Sequence, residues 1–249
     1  ESENVNDMRA AELSMDAETR GGNDALNYEL VGLPLPILHK EYQISIRKLY
    51  ASRNMGESLD TTQARLAALK IAELQEELLF NGYSSFEFGS YILYGYTDYP
   101  PRNSVTLTAA WDAAGKTAAQ ILTDVFNCKA ALLADKKYGP YELYIPSAYE
   151  IVMDNDYNTS GSDTATIRER ILKVGQIQGL KVADVLSANN VIMSQMTIDN
   201  VRIVQGMPLT NVEWQSNAET IFHFRVMTIT IPQLRTDQDG NSGIAHLAA

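Results

Sequence analysis

Asp154, Asp156, Asn158 and Ser160 fall at alternate positions of one polar run, the spacing at which a calcium loop presents its first oxygen ligands. Such a loop also needs a glycine at its sixth position for the sharp turn and a glutamate at its twelfth to close the cage. Thr159 and Ala165 stand there, so the run reads as a solvated turn. Asp237, Asp239 and Asn241 fail similarly. His39, His223 and His246 lie far apart and share no HxH or HxxxH spacing, and His223 falls in an alternating stretch where it reads as a satisfied structural histidine; no zinc site is argued. Cys128 lies on the apolar stripe of a helical pattern with no matched base, which makes it a small buried hydrophobe rather than a nucleophile. No nucleophile elbow, phosphate-binding Gly-rich loop or dinucleotide fingerprint occurs. The expectation is a protein that is not an enzyme, with no catalytic, cofactor-binding or metal residues.

The elements that would carry such residues are easier to read. Residues 58–83 form the best-punctuated helix, with Asp60 as N-cap, Gln63 at the capping-box spacing, and Asn81-Gly82 to close it. Ala67, Ile71, Leu74 and Leu78 make a buried stripe, widened by Ala68, Ala72 and Leu79, while Arg65, Lys70, Glu73, Glu76 and Glu77 gather opposite. Residues 33–38 and 42–46 read as extended segments before a short helix at 46–53, and the aromatic-rich stretch 83–101 reads as loop. A second amphipathic helix spans 116–138 up to Gly139-Pro140. A strand at 141–146 follows, then a capping box at Ser147 and Glu150 opening a helix to 153, and another at Thr166 and Glu169 opening a helix to 173. Strands are expected at 180–185, 191–196, 201–204, 210–214 and, last, 221–234 before a short tail.

The chain has 249 residues with 31 acidic against 20 basic side chains, a net charge of -11, so it offers no basic footprint for gripping nucleic acid. One cysteine excludes a disulfide framework, and no apolar run reaches membrane-spanning length and no signal peptide is visible. The chain reads as soluble and cytosolic in origin. It opens on Glu1 rather than Met, which implies that a preceding segment has been processed away or left out.

Lys70-Ile71-Ala72-Glu73 followed by Leu79-Phe80-Asn81-Gly82-Tyr83 resembles the spine helix of tailed-phage major capsid proteins of the Hong Kong 97 type and of the related encapsulin shells, where the helix ends in a Phe-x-Gly motif. The order of features from about Leu33 to Leu247 is similar as well. Gly95 to Pro100 resembles a Gly-x-x-Asn-x-Pro stretch with Asp98 in place of the Asn, Trp111 follows it, and Gly139-Pro140-Tyr141 with its strand, cap and helix resembles the entry to an axial domain. The resemblance implies an α+β Hong Kong 97-like capsid fold with an N-terminal arm at 1–12 and an extended loop at 13–45. It further implies a peripheral domain at 46–138 and 216–249 holding the spine helix 60–81, and an axial domain at 139–215.

It also implies the function: self-assembly into the icosahedral head of a tailed bacteriophage enclosing its DNA, or alternatively an encapsulin nanocompartment enclosing a cargo enzyme. The phage version is favoured by the Gly95 to Pro100 stretch, by Trp111, and by a start without the N-terminal helix that docks cargo. Expected partners are further copies in pentamers and hexamers, portal and decoration proteins, and double-stranded DNA held without sequence-specific contacts, with no membrane. The expected place is the virion, assembled in the host bacterial cytoplasm. Implied sites are a capsomer-axis loop (Asp154, Asp156, Tyr157, Asn158 and Asp163), an intersubunit contact at the tip of the extended loop (Arg20, Gly21, Gly22, Asn23 and Asp24), and the spine core (Ala67, Ile71, Leu74 and Leu78). Lys40 lies away from that tip, so a covalent crosslink through the extended loop is not expected.

Overall fold

The computed structural model describes residues 2–5, 28–56, 59–89, 91–158, 165–216, 218, 220–237 and 239–248. β1 (Ser2–Val5) and β2 (Tyr28–Val31) pair antiparallel with Ser2 opposite Val31. Residues 2–5, in the stretch expected as an N-terminal arm, are thus paired with residues 28–31, in the stretch expected as the extended loop. Arg20, Gly21, Gly22, Asn23 and Asp24 lie outside the described residues, as does Asp163.

Residues 32–37 form no strand, because Pro34 and Pro36 lack the N–H that a ladder needs. β3 (Leu38–Ser45) leads into α1 (Ile46–Met55) and α2 (Leu59–Asn81). Asp60 therefore lies within the first turn of α2 rather than ahead of it as an N-cap. The helix closes at Gly82, whose φ of 67° is the left-handed conformation expected there. Ala67, Ile71 and Leu78 are buried, but Leu74 is only half-buried and Leu66 and Leu69 are exposed, so the buried stripe is narrower than the sequence pattern suggests.

The stretch expected as aromatic loop is a hairpin of β4 (Tyr83–Phe88) and β5 (Tyr91–Leu93). Aromatic residues suit a pleated surface, and Gly89 takes the turn with φ 68°. β6 (Asn103–Thr106) and α3 (Ala118–Ala134) follow. Thr117 and Gln120 form a reciprocal capping box that starts α3 two residues later than expected, and Lys136, with φ 59°, ends it before Tyr138. β7 (Tyr141–Pro146) runs into a 3-10 turn at Ser147–Tyr149 and then α4 (Glu150–Met153). The expected Ser147 capping box is not formed, since the turn makes no side-chain cap hydrogen bond. α5 (Ile167–Leu172) does carry its Thr166 and Glu169 box.

β8 (Ile177–Ala183) and β9 (Asn190–Gln195) come next. The two short strands expected at 201–204 and 210–214 are one, β10 (Val201–Ser216), and β11 spans Ile221–Leu234. The expected tail is a strand, β12 (Ile244–Ala248).

Two compact units result. One comprises Pro34–Gly95 with Arg202–Gln233 and holds the antiparallel sheet β10-β11-β3, on which α2 packs through β3. Ile44, Leu49 and Phe224 form its small core cluster, with Tyr42 stacked on Phe224 at 5.0 Å. The other comprises Glu1–Leu33, Tyr96–Val201 and Leu234–Ala249 and holds the five-stranded sheet β6-β12-β9-β7-β8. β12 runs parallel to β6 and antiparallel to β9, and β7 runs antiparallel to β9 and parallel to β8. α3 packs on β12 and β6, and α5 on β8. α3 thus lies in the same unit as β7 to β9, and the final residues return to the same sheet, where Ile244, Ala245 and Leu247 are fully buried.

Candidate functional site

The polar loop after α4 is held at its neck by backbone. Asn155 N–H donates to Val152 O at 3.3 Å, Tyr157 N–H to Ala165 O at 2.9 Å, and Ile167 N–H to Asn155 O at 3.0 Å, with an antiparallel bridge between Asp156 and Thr166. Met153 and Ile167 anchor the two sides in the core, while Asp154, Asp156 and Asn158 are exposed and Tyr157 is half-buried. The loop contains no basic residue, but α5 supplies two beside it. Arg168 Nε lies 3.3 Å from Asp154 Oδ1, an ion pair without hydrogen-bond alignment, and Arg170 Cζ lies 5.8 Å from the centre of the Tyr157 ring. The structure thus brings Asp154, Asp156, Tyr157 and Asn158 together beside one hydrogen-bonded neck, and it offsets Asp154 locally in a way that loop composition does not reveal.

Sequence reasoning missed the polar groups that brace the sheet carrying this loop. Asp124, one turn and a half into α3, is buried, and its Oδ2 accepts from the Trp111 indole N–H at 2.9 Å and from Lys116 Nζ at 2.7 Å. Trp111 in turn stacks on Tyr149 at 5.3 Å, and the Tyr149 hydroxyl donates to Asn189 Oδ1 at 2.8 Å. The segment of Trp111 and Lys116, helix α3 and the segment of Asn189 are thereby tied to the turn that opens α4. Burial, and then the charge of Asp124, push the Cys128 thiol up to about 12, which removes it as a nucleophile at neutral pH.

His246, on β12, is the other missed group. Arg102 Nε donates to its Nδ1 at 3.2 Å, and its Nε2 lies 2.8 Å from Asn190 Oδ1. The Asn190 amide nitrogen is engaged by Ser187 and Ala188, so its oxygen faces the ring, and Nε2 carries the imidazole proton. Burial and then the Arg102 guanidinium hold the ring's pKa down to about 4. His223 stacks on Trp214 and meets Ser216 Oγ at 2.5 Å, a structural arrangement within β10 and β11. Among the described residues no three His, Cys, Asp or Glu side chains converge as a metal site, and no helix is long and apolar enough to cross a membrane.

The backbone also explains the glycine that opens the Gly95 to Pro100 stretch. A Cβ built on Gly95 would lie 2.2 Å from Gly82 N and 2.8 Å from the carbonyl carbon of Phe80, so only glycine lets this segment cross the end of α2. The Phe-x-Gly and Gly-first motifs are two sides of one close approach.

Comparison with known proteins places this architecture. A model for a family of unknown function matches residues 1–247, and no curated protein matches the sequence. Among solved structures, the chain is similar to a virus-like particle from Pyrococcus furiosus, with TM-score 0.66 and 18% identity over 90% of this chain and 79% of that one. It is similar to the capsid of Myoviridae phage XM1, with TM-score 0.72 and 13% identity over 93% and 81% of the two chains. The capsid of an empty GTA particle aligns with TM-score 0.64 and 15% identity over 98% and 82%. The fold is of the Hong Kong 97 capsid type, mixed α and β.

Proposed function

As a member of DUF6260, a family of unknown function whose model spans residues 1–247, the chain inherits no assigned activity, and we propose that it is a shell-forming structural protein, the major capsid protein of a tailed phage that closes into an icosahedral head around double-stranded DNA. The observation that carries this reading is the extent of the likeness, since a phage capsid, a GTA capsid and a virus-like particle each align with at least 90% of the chain. Net charge -11 fits an envelope that surrounds nucleic acid without binding it. In this reading the unit built on the five-stranded sheet is the axial domain and the unit built on α2 the peripheral domain. The β1 and β2 projection lies on a neighbouring copy, since a lone two-stranded sheet is marginal in water.

Partners are then further copies in pentameric and hexameric rings, with portal and decoration proteins completing a virion assembled in the host cytoplasm. The loop at Asp154, Asp156, Tyr157, Asn158 and Asp163 surrounds the ring axis, where repeated carboxylates favour cations. Matching cation permeability in shells of the parent and of the Asp154→Asn, Asp156→Asn variant would refute that placement. The virus-like particle match supports a second reading, a nanocompartment around a cargo protein. Electron microscopy of the purified protein, with extraction of the shell contents, tests both: DNA-filled shells support the capsid, protein-filled shells the compartment. A monomer by light scattering at every concentration refutes both.

A further inference from the structure

The outward face of α3 carries no carboxylate. The helix holds two charged side chains: Asp124 is buried against Lys116 and Trp111, and Lys129, half-buried at the margin of that face, turns its Nζ onto Gly175 O at 2.6 Å. What remains exposed includes Phe126 and Leu133, 45% and 41% accessible, with Ala130 between them at the i, i+4, i+7 spacing that makes one stripe, and neutral Thr123 and Asn127 alongside. Tyr138, just past the helix, is 65% accessible. The exposed arc of α2 shows the contrast, because Arg65, Lys70, Glu73, Glu76 and Glu77 give it the charged surface of a solvated helix.

From this we infer that the Phe126, Ala130 and Leu133 stripe is an interface with a second copy of this chain, buried when subunits join into a ring. Charge selects the occupant. Two copies of a chain with net charge -11 repel each other, so copies approach best through a face free of carboxylates. Nucleic acid and anionic lipid are poor occupants, because each draws its affinity from several Lys and Arg, and the one cation on α3, Lys129, is turned onto Gly175 O. A small residue between two large ones lets another backbone come close, with Phe126 and Leu133 as the anchors that interfaces favour. Ring closure requires a head-to-tail contact, so the stripe meets a different patch on its neighbour.

This inference rests on the shell reading, and its test separates the two. In parent protein that assembles, p-benzoylphenylalanine in place of Phe126 should, on irradiation, yield a crosslinked species at twice the 27.6 kDa chain mass, and only under assembling conditions. Phe126→Glu with Leu133→Glu should keep the parent's circular dichroism and lower the yield of assemblies at least about tenfold, since each ring buries the new charges in every copy, whereas Phe126→Leu should assemble like the parent. Crosslinking within one chain, to another protein, or not at all in assembled parent overturns the interface while leaving the shell reading intact. Normal assembly of the double glutamate variant does the same. A parent that never assembles overturns both.

Discussion

Replacing Asp124 by alanine is the sharpest test of how the α3 unit holds together. The carboxylate is buried and takes two donors on one oxygen, Lys116 Nζ at 2.7 Å and Trp111 Nε1 at 2.9 Å, and the lysine side chain is 3% exposed. Its removal strands a buried ammonium and an unmet indole N–H. Breaking one partner of a buried pair costs about 3–5 kcal/mol, and the orphaned indole adds to the upper part of that range rather than summing with it. The pair itself is worth far less, because its attraction mostly offsets the desolvation of two ions. A double variant, Lys116→Met with Asp124→Leu, should therefore recover to within about 2 kcal/mol of the parent. Urea unfolding followed by Trp fluorescence in a Trp214→Phe background, where Trp111 alone reports, measures both. An Asp124→Ala cost below about 1 kcal/mol, the size of an exposed pair, or a double variant no better than the single, would refute the buried brace.

Protonating His246 would aim a second N–H at the Arg102 guanidinium, and its folded pKa of about 4 lies below the ordinary 6.5. Stability is therefore full above pH 6.5 and falls as the pH drops toward 4, by roughly 1–2 kcal/mol after allowance for solvent screening; a His246→Gln variant with the same acid dependence in unfolding titrations would exclude the ring as its cause. Gly95→Ala should cost at least about 2 kcal/mol, because the new Cβ meets backbone atoms that cannot move without displacing the end of α2; thermal melting within a degree of the parent would contradict the close approach. Ile71→Asp should destabilise by several kcal/mol, roughly the cost of an unpaired buried carboxylate, while Leu66→Asp on the exposed side changes stability by about 0.5 kcal/mol or less; equal effects in denaturant would show that the helix faces are misassigned.

Features written in adjacent residues were legible in the sequence. The Thr166 and Glu169 box on α5, the Gly82 closure of α2 and the alternation of β11 each depend on neighbours a few positions apart, and each appears where the pattern puts it. Features set by distant partners were not. Residues 244–248 are too short to announce an interior strand, and only pairing with residues 103–106 and 190–194 makes them one. Gly206 and Pro208 suggested a break in β10, but that strand is at the edge of its sheet, where a missing ladder donor is tolerated. Lys116 looked like the polar start of a helix, and nothing local marks it as the buried partner of Asp124. At the candidate loop, the sequence supplied the acidic residues but not the Arg168 and Arg170 that α5 sets beside them.

The interleaving of the two compact units has a consequence for synthesis on the ribosome. Strand β3 waits for β11, with Ser45 paired to Ile221, and β9 waits for β12, with Asn190 paired to Ala248. Neither unit is a contiguous stretch of chain, so neither can close as its first half emerges. Long-range strand pairing of this kind folds slowly, because loop closure must precede the contacts that reward it. A nascent chain stopped before residue 221 therefore carries two open sheets, with the edges of β3 and β9 unpaired on the sides that β11 and β12 would cover. Only a chain translated through residue 248 has both of its larger sheets complete.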